Sequence, residues 1–253
     1  MTGEVNAIFM TDKGRVRQNN EDNGGIFVNK DGQRLAIVAD GMGGHRAGDV
    51  ASEMTVATLQ AMWEQTERIE TADEAENWLR THIKSVNSIL FEHARTNEEC
   101  DGMGTTIEAV IATGLFTTVA HVGDSRSYIA NPDGFQQLTE DHTLVHELVR
   151  TGQISEEDAE HHPRKNVILR ALGTEQDVKI DVKTIMFEEG DYLLLCSDGL
   201  SGKVTKEDMK GVLESEDSLE KKASTLIMMA NENGGEDNIT LVILEFEDDR
   251  ERG

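Results

Sequence analysis

The sequence predicts an α+β fold, a four-layer α-β-β-α sandwich in which two antiparallel sheets lie between pairs of helices. Short apolar and β-branched runs occur in separate groups and are joined by turns of a few residues. Such short connections favour antiparallel neighbours, because a parallel crossover needs a dozen residues or more. Two pairs of longer helical segments can then cover the outer faces of the sheets. A doubly wound parallel sheet is disfavoured for the same reason.

The first part of the chain predicts three strands followed by two long helices. The strand-like runs lie between turn residues, at 5–11, 25–28 and 34–39. Apolar residues then recur at helical spacing over about 47–67 and again over about 72–96. We expect Asp73 to cap the second helix, with Glu76 three residues later.

The second part predicts more strands, a polar insertion and a final pair of helices. Strand-like runs between 105 and 138 are separated by turns at 113–114 and 131–134. Short helices at about 143–151 and 155–160 lead into a polar loop at 161–166. The last elements are strand, strand, helix, helix and strand, near 178–187, 192–196, 205–214, 218–233 and 239–246. No linker or repeat divides the chain, so one domain is predicted over 1–246, followed by a charged tail at 247–253.

The composition narrows the range of functions. The chain has 253 residues with 24 Lys and Arg against 49 Asp and Glu, a formal net charge of −25. Such a surface repels nucleic acid and anionic lipid, so neither is an expected partner. No apolar run is long enough to cross a bilayer, and no secretion leader opens the sequence. The two cysteines, Cys100 and Cys196, are far apart, as is typical of a reducing compartment. We therefore expect a cytoplasmic protein, and a monomer because no signal for assembly is present.

Acidic residues stand in turns beside predicted apolar strands, where a solvated surface charge is not expected. Five carboxylates share this position: Asp22, Asp40, Asp124, Asp198 and Asp237. Glycine follows two of them, as Gly41 and Gly199, and allows the backbone to turn and approach a ligand closely. Taken singly, an Asp-Gly pair is most often just a turn. Taken together, the five matter if the strands bring them to one end of the sheets.

A cluster of this kind needs cations or protons. Two carboxylates about 5 Å apart repel by roughly 3 kcal/mol at an effective dielectric constant near 20. Oxygen ligands without cysteine or clustered histidine select Mg²⁺ or Mn²⁺ rather than a structural zinc ion. No stretch of the sequence matches an EF-hand calcium loop. Two such ions that share a carboxylate can lower the pKa of a bridging water and clamp a phosphoryl group.

Six motifs in order carry a family resemblance. They are Arg17-x-x-Asn20-Glu21-Asp22, Asp40-Gly41-Met42-Gly43-Gly44-His45, Gly104-Thr105-Thr106, Gly123-Asp124-Ser125-Arg126, Asp198-Gly199-Leu200 and Gly235-Glu236-Asp237-Asn238-Ile239-Thr240. The series resembles the metal-dependent protein phosphatase family (PPM, type 2C). More narrowly, it is similar to the stand-alone bacterial members that oppose Hanks-type Ser/Thr kinases. The resemblance covers essentially the whole chain.

The resemblance implies a metal centre with two core ions, Mn²⁺ or Mg²⁺, and an additional site for a third. Asp40 would bridge the core ions, and the Gly41 carbonyl would bind one of them. The other implied metal-site residues are Asp22 through a metal-bound water, Asp198 and Asp237 directly, and Asp124 with Asp198 at the additional site. Glu21 would act as an acceptor behind the ligands, and a mobile flap would cover about 143–166.

The implied reaction is hydrolysis of phosphoserine or phosphothreonine esters on proteins by a metal-bridging hydroxide. Arg17 fits the phosphate-binding arginine, because its planar fork can hold two phosphate oxygens. The leaving alkoxide needs a proton, for which His45, a metal-bound water and His161 are candidates. His45 is favoured, although a packing role at a helix N-terminus is the alternative. Met42 is a departure, because many eukaryotic members have histidine directly after the Asp-Gly pair.

The expected partners are phosphorylated proteins, among them a Ser/Thr kinase. One alternative is a dedicated phosphatase of a sigma-factor regulator, whose relatives usually carry sensor domains or lack part of the acidic set. A second alternative is a phosphatase fold kept as a non-catalytic binding module, which would usually have lost a metal ligand.

Several further residues are assigned supporting or neutral roles. We expect Arg126 to form a salt bridge that supports the Asp124 loop, and the Thr105 and Thr106 hydroxyls to support the site by hydrogen bonds. His142, His161 and His162 are expected to face solvent. The core is expected to include four methionines, Met10, Met103, Met228 and Met229.

Overall fold

The computed structural model describes residues 4–44, 47–186 and 188–247. Its strands are β1 (Glu4–Asp12), β2 (Asp22–Val28), β3 (Arg34–Met42), β4 (Gly104–Thr105), β5 (Ile107–Ala112), β6 (Thr117–Val122), β7 (Arg126–Asn131), β8 (Gly134–Gln137), β9 (Asp181–Ile185), β10 (Tyr192–Cys196) and β11 (Ile239–Glu247). Its α-helices are α1 (Ala47–Trp63), α2 (Ala72–Thr96), α3 (Leu144–Arg150), α4 (Glu156–Glu160), α5 (Asp198–Ser201), α6 (Lys206–Leu213) and α7 (Leu219–Glu232). The predicted tail beyond residue 247 lies outside the described residues.

The strands form two antiparallel sheets, as the sequence predicts. One sheet has the order β1-β11-β10-β7-β8, and the other has the order β2-β3-β5-β6-β9 with β4 added beside β3. Every pair of neighbouring strands runs antiparallel. The second sheet packs against α1 and α2, and the first packs against α5, α6 and α7. The predicted sandwich is therefore confirmed.

The central strands are buried on both faces, which explains their uninterrupted apolar runs. In β3, Leu35, Ile37 and Ala39 belong to the core under the helices. Ala36 and Val38, which alternate with them, belong to the core between the two sheets. Side chains of a strand point alternately to its two faces, so a strand between two layers needs apolar residues at every position.

Three details differ from the prediction. Helix α1 ends at Trp63 rather than near residue 67, because the chain turns there with the Thr66 N–H on the Trp63 carbonyl at 2.9 Å. Helix α2 is capped by Thr71 and not by Asp73: the Thr71 hydroxyl accepts from the Glu74 N–H, and the Glu74 carboxylate returns a bond to the cap. Met103 is buried, but Met228 is 48% exposed and so is not core.

Among the residues that the structure describes, no helix is both long and apolar enough to cross a membrane.

Candidate active site

Two of the predicted acidic residues face each other across the β2–β3 pair. Asp22 begins β2 and lies opposite Asp40 near the end of β3. Asp124 follows β6 in the turn that leads to β7, and it is 8% exposed. Its neighbour Gly123 lies against Thr106, whose backbone N–H donates to the Asp40 carbonyl at 2.9 Å. The β5 and β6 connections therefore bring Asp124 toward the same end of the sheet as Asp40.

The other sheet contributes Asp198 and Asp237. Asp198 opens α5 directly after β10, and Asp237 stands two residues before β11. Because β10 and β11 are antiparallel neighbours, these two positions lie beyond the same end of their strands. The two sheets meet at this end, where the Ser197 hydroxyl donates to Oδ2 of Asp22 at 2.7 Å. Side chains from distant parts of the chain thus converge at one end of the sandwich.

Burial and mutual repulsion raise the pKa of the Asp22, Asp40, Asp124 and Asp198 carboxyls. The pKa of Asp22 rises to about 7, first because the group is buried and then because Asp198 and Asp237 are near. The pKa of Asp40 lies well above its ordinary value, again through burial first and then through Asp22 and the other three carboxylates. Burial, and next the charge of Asp198, raises the pKa of Asp124 to about 7. The pKa of Asp198 is raised by burial and by Asp237. The five side chains form one electrostatic cluster.

The chemistry of this cluster fits hard divalent cations. Its donors are carboxylate oxygens, and these are the ligands that Mg²⁺ and Mn²⁺ prefer. Within residues 4–44, 47–186 and 188–247, no group of three or more His, Cys, Asp or Glu side chains has an arrangement that could hold a metal ion as the side chains lie. The cluster is therefore defined by the charge coupling of its carboxyls, and bound cations would relieve the repulsion that raises their pKa.

Gly41 permits a close approach of three chain segments at the cluster. Its N–H donates to the Glu21 carbonyl at 3.1 Å. A Cβ at this position would lie 2.0 Å from the Gly48 carbonyl oxygen and 2.6 Å from that of Glu21. No side chain fits such a gap. The glycine that the sequence singled out is thus required where β2, β3 and the start of α1 meet.

Hydroxyl groups hold the Asp40 backbone, as predicted for Thr105 and Thr106. The Thr105 hydroxyl donates to the Asp40 carbonyl at 2.9 Å, and Thr106 Oγ1 accepts from the Asp40 N–H at 3.0 Å. Thr106 Oγ1 also lies 2.7 Å from the Ser125 hydroxyl in the turn that carries Asp124. This hydrogen-bonded chain connects the Asp40 and Asp124 backbones.

Two positioning residues, Ser197 and Asn238, were not found by sequence reasoning. Ser197 donates to Asp22, and Asn238 Oδ1 accepts from the Glu21 N–H at 2.8 Å. The Asn238 Nδ2 group donates to the Lys13 and Asn19 carbonyls, both at 2.9 Å. Each is a polar residue directly beside a predicted ligand at the end of a buried strand. This position beside a ligand was the signal for a supporting role that the sequence offered. The hydrogen-bond partners of both residues, however, lie far away in the sequence.

Arg17 lies at the rim of the cluster. Its Nη2 donates to Oδ2 of Asp237 at 2.8 Å, and the side chains remain 48% and 36% exposed. Glu21 lies close by, and burial raises its pKa although the charge of Arg17 acts in the opposite direction. Arg17 is therefore near the acidic cluster and accessible from solvent. His45, the favoured proton donor, lies outside the described residues.

A cleft of about 870 Å³ lies between the cluster and the predicted flap. Asp124 and Asp198 line it on one side, and residues of α3, α4 and the following loop, including His161 and Lys165, line it on the other. His161 is exposed, as expected. The predicted flap segment therefore borders the site.

Two side chains attach the residues just before the flap to the sheets. Arg126 forms a two-pronged salt bridge with Asp141, which includes a 2.7 Å contact from Nη2 to Oδ2 and confirms its predicted salt-bridge role. The prediction that His142 faces solvent is wrong, because this residue is only 7% exposed. Its Nδ1 accepts from the Gly123 N–H at 3.1 Å, and its Nε2 lies 3.0 Å from Oδ2 of Asp181.

Comparison with known proteins identifies relatives along the whole chain. The family model for protein phosphatase 2C matches residues 12–240. The serine/threonine phosphatase stp of Listeria welshimeri is 52% identical over 241 residues, which cover 95% of this chain and 96% of that protein. The solved serine/threonine phosphatase of S. agalactiae is 43% identical, with a TM-score of 0.93 over 96% of this chain and 100% of that one.

A further solved relative is a metal complex. The catalytic domain of the phosphatase PstP in complex with 2 manganese ions is 32% identical, with a TM-score of 0.84 over 96% of this chain and 99% of that one. Family model, sequence identity and fold agree over nearly the full length. The chain belongs to the protein phosphatase 2C family.

Proposed function

We propose that this protein hydrolyses phosphoserine and phosphothreonine esters on proteins, with two Mn²⁺ or Mg²⁺ ions as cofactors. The observation that carries the proposal is the convergence of Asp22, Asp40 and Asp198, whose carboxyl pKa values are raised by burial and by neighbouring carboxylates. The names of the relatives support serine/threonine dephosphorylation, and the manganese complex of PstP supports the choice of metal.

The residues that would hold the ions follow from the cluster. Asp40, at its centre, would be shared by the two ions, with Asp198 and Asp237 as further direct ligands. Asp22 would act through a water, the Gly41 carbonyl would bind one ion, and Asp124 with Asp198 would offer an additional site. When bound, such ions lower the pKa of a water molecule and offset the negative charge of a phosphoryl group.

The side chains of this protein would bind and orient the phosphate. Arg17 carries a planar fork that can donate to two phosphate oxygens, and its half-exposed position at the cluster leaves it accessible. Asp237 holds the guanidinium at one nitrogen and leaves the remaining N–H groups for a ligand. His45 remains our proposed source of the proton for the leaving oxygen. The flap beside the cleft would contact the phosphoprotein around its phosphorylated residue.

The finer biological assignments belong to the same proposal. We propose that the substrates include a Hanks-type Ser/Thr kinase, whose action this phosphatase would reverse. The acidic composition, with a net charge of −25, supports a monomeric cytoplasmic enzyme without nucleic-acid or membrane partners.

Activity on a phosphothreonine peptide tests the proposal. The wild-type protein is expected to release phosphate with Mn²⁺ and to stop when a chelator is added. Asp40→Asn is expected to lower kcat/KM at least a hundredfold, because the shared ligand is lost, while Asp217→Asn on the exposed surface leaves it unchanged. A folded, manganese-loaded protein without activity would overturn the proposed function.

A further inference from the structure

A short cationic segment borders the acidic cluster. Residues 13–20 contain Lys13, Arg15 and Arg17 and no acidic residue, in a chain where Asp and Glu outnumber Lys and Arg by 49 to 24. All three side chains belong to exposed residues. Arg17 is paired with Asp237. For Lys13 and Arg15, no carboxylate of the described residues lies within salt-bridge distance. We call these two residues the cationic rim.

The backbone of the cationic rim is hydrogen-bonded to the residues directly before β11, among which Asp237 lies. The Arg15 N–H donates to the Gly235 carbonyl at 2.7 Å, and the Lys13 carbonyl accepts from Asn238 at 2.9 Å. Gly14 between them has a φ of +80°, and a Cβ there would lie 2.2 Å from the Asp237 carbonyl oxygen. The rim thus keeps a defined place beside the cluster, where a flexible loop would not.

The length that the cationic residues span matches the length of a short extended peptide. A chain of four residues spans at most about 14 Å when fully extended, so Lys13, Arg15 and Arg17 lie within about that distance. An extended peptide covers the same length with about four residues. If Arg17 holds the phosphate, the rim faces the residues next to the phosphorylated one on one side only.

Two neighbouring acidic residues have other partners than the rim. Glu236 is bonded to Lys203. Oδ1 of Asp12 accepts from the Gly14 N–H at 2.8 Å and from Asn231 at 3.0 Å. The long-range field of the acidic protein is screened beyond about 8 Å at physiological salt, so local charges decide what this surface attracts.

The cleft beside the flap carries charges of both signs. Its lining includes Glu140, Glu156 and Asp141, which is paired with Arg126, together with the cations Lys165 and Lys206. An acidic stretch of substrate would meet charges of both signs there and positive charges at the rim. The asymmetry distinguishes the two directions in which a peptide can lie across the site.

We propose that Lys13 and Arg15 select phosphoproteins with Asp or Glu within about four residues of the phosphorylated residue, on one side of it. This inference rests on the proposed function, because it assigns the rim to the same site. Each exposed ion pair contributes little, and double-mutant cycles of such pairs correspond to roughly 1.4-fold to fivefold in affinity. Two pairs together predict roughly a tenfold preference in kcat/KM for an acid-flanked peptide over a neutral one.

Four phosphothreonine peptides test the inference: neutral flanks, acidic residues before the phosphothreonine, acidic residues after it, and lysines on both sides. The wild-type protein is expected to prefer one of the two acidic peptides over the neutral one, and to disfavour the lysine peptide. The preference is expected to shrink at high salt. Lys13→Gln combined with Arg15→Gln is expected to bring the acidic-to-neutral ratio of kcat/KM close to one.

The matched control removes two cations elsewhere. Arg68→Gln combined with Lys221→Gln makes the same change in net charge at exposed residues of the α1–α2 connection and the start of α7, and it is expected to keep the wild-type ratio. If both double variants lower the ratio equally, or if the wild type shows no preference for acid, the inference is overturned while the phosphatase function stands. If the wild type turns over none of the four peptides, the proposed function itself fails.

Discussion

The Ser197 hydroxyl donates a hydrogen bond to Oδ2 of Asp22 at 2.7 Å, although 175 residues separate the two in the chain. Ser197 Oγ also accepts from the Thr240 N–H at 3.0 Å, so its proton is directed to the carboxylate. Both residues are buried. This single hydroxyl therefore joins the two sheets at the end where the acidic cluster lies, and it stabilises the charged form of Asp22.

Removing this hydroxyl is expected to cost stability. In Ser197→Ala, the Asp22 carboxylate and the Thr240 N–H each lose a buried partner, so the free energy of unfolding should fall by about 1–3 kcal/mol. Urea denaturation in the presence of a chelator measures this. The control is Ser224→Ala on α7, whose exposed hydroxyl donates to the Lys221 carbonyl, with an expected change within about 0.5 kcal/mol. Equal effects of the two variants would contradict the role assigned to Ser197.

Substitution by alanine is expected to change the free energy of unfolding in opposite directions at Gly41 and at Gly211. In Gly41→Ala the new Cβ would lie 2.0 Å from the Gly48 carbonyl, and the backbone of three elements must shift. We expect a loss of about 1–3 kcal/mol in the free energy of unfolding, together with weaker Mn²⁺ binding. Gly211→Ala in α6 meets nothing within 4 Å and should stabilise the protein by about 0.5–1 kcal/mol. Thermal unfolding and Mn²⁺ titration calorimetry measure both effects, and a neutral Gly41→Ala would contradict the packing argument.

His142 predicts the direction of a pH effect. Burial first, and then the charges of His121 and Arg170, lower its pKa from 6.5 to about 4, although Asp181 acts in the opposite direction. The neutral ring suits its contacts, because Nδ1 must accept from the Gly123 N–H. Between pH 6.5 and 4 the unfolded chain takes up a proton that the folded protein refuses, so His142 lowers stability as the pH falls through this window.

The variant His142→Gln isolates this contribution. Glutamine keeps an acceptor and a donor but does not titrate, so the difference in unfolding free energy from the wild type should change by at most about 3 kcal/mol between the two ends of the window. His93→Gln on α2 serves as the control. Urea denaturation over the pH range, with a chelator present, measures the difference. A difference that stays constant with pH would show that His142 titrates normally in the folded protein.

The contrast between Asp40 and His142 explains what could be predicted from sequence. Asp40 follows an uninterrupted apolar run, so its strand, its burial and its glycine partner are all local signals. The surroundings of His142 come from the Gly123 turn and from Asp181 on β9, which only the sheet order brings together. The predicted cap of α2 was wrong although the correct signal is local, since Thr71 and Glu74 have capping-box spacing. Long-range polar pairing was the part that periodicity and motifs could not supply.

A buried pair of ionisable groups between the sheets gives the last prediction. Glu108 and His121 are almost fully buried, and Oε1 and Nδ1 lie 2.5 Å apart. His121 Nε2 donates to the Glu140 carbonyl at 2.9 Å, just before the flap, so a proton must be shared at Nδ1. Burial raises the pKa of Glu108. Apart from Nδ1, the Ser127 hydroxyl is the hydrogen-bond partner that the described residues give this carboxyl.

Breaking this pair on one side should cost more than removing it entirely. His121→Leu leaves Glu108 buried without its partner, and we expect a loss of about 3–5 kcal/mol in the free energy of unfolding. Glu108→Leu combined with His121→Leu removes the unpaired charge as well, so the double variant should be more stable than the single variant by about 1 kcal/mol or more. Urea denaturation of the wild type, both single variants and the double variant completes the cycle. If the losses of the two single variants add up to the loss of the double variant, Glu108 and His121 do not stabilise one another. Two partners of one buried pair are expected to give a double-variant loss smaller than that sum.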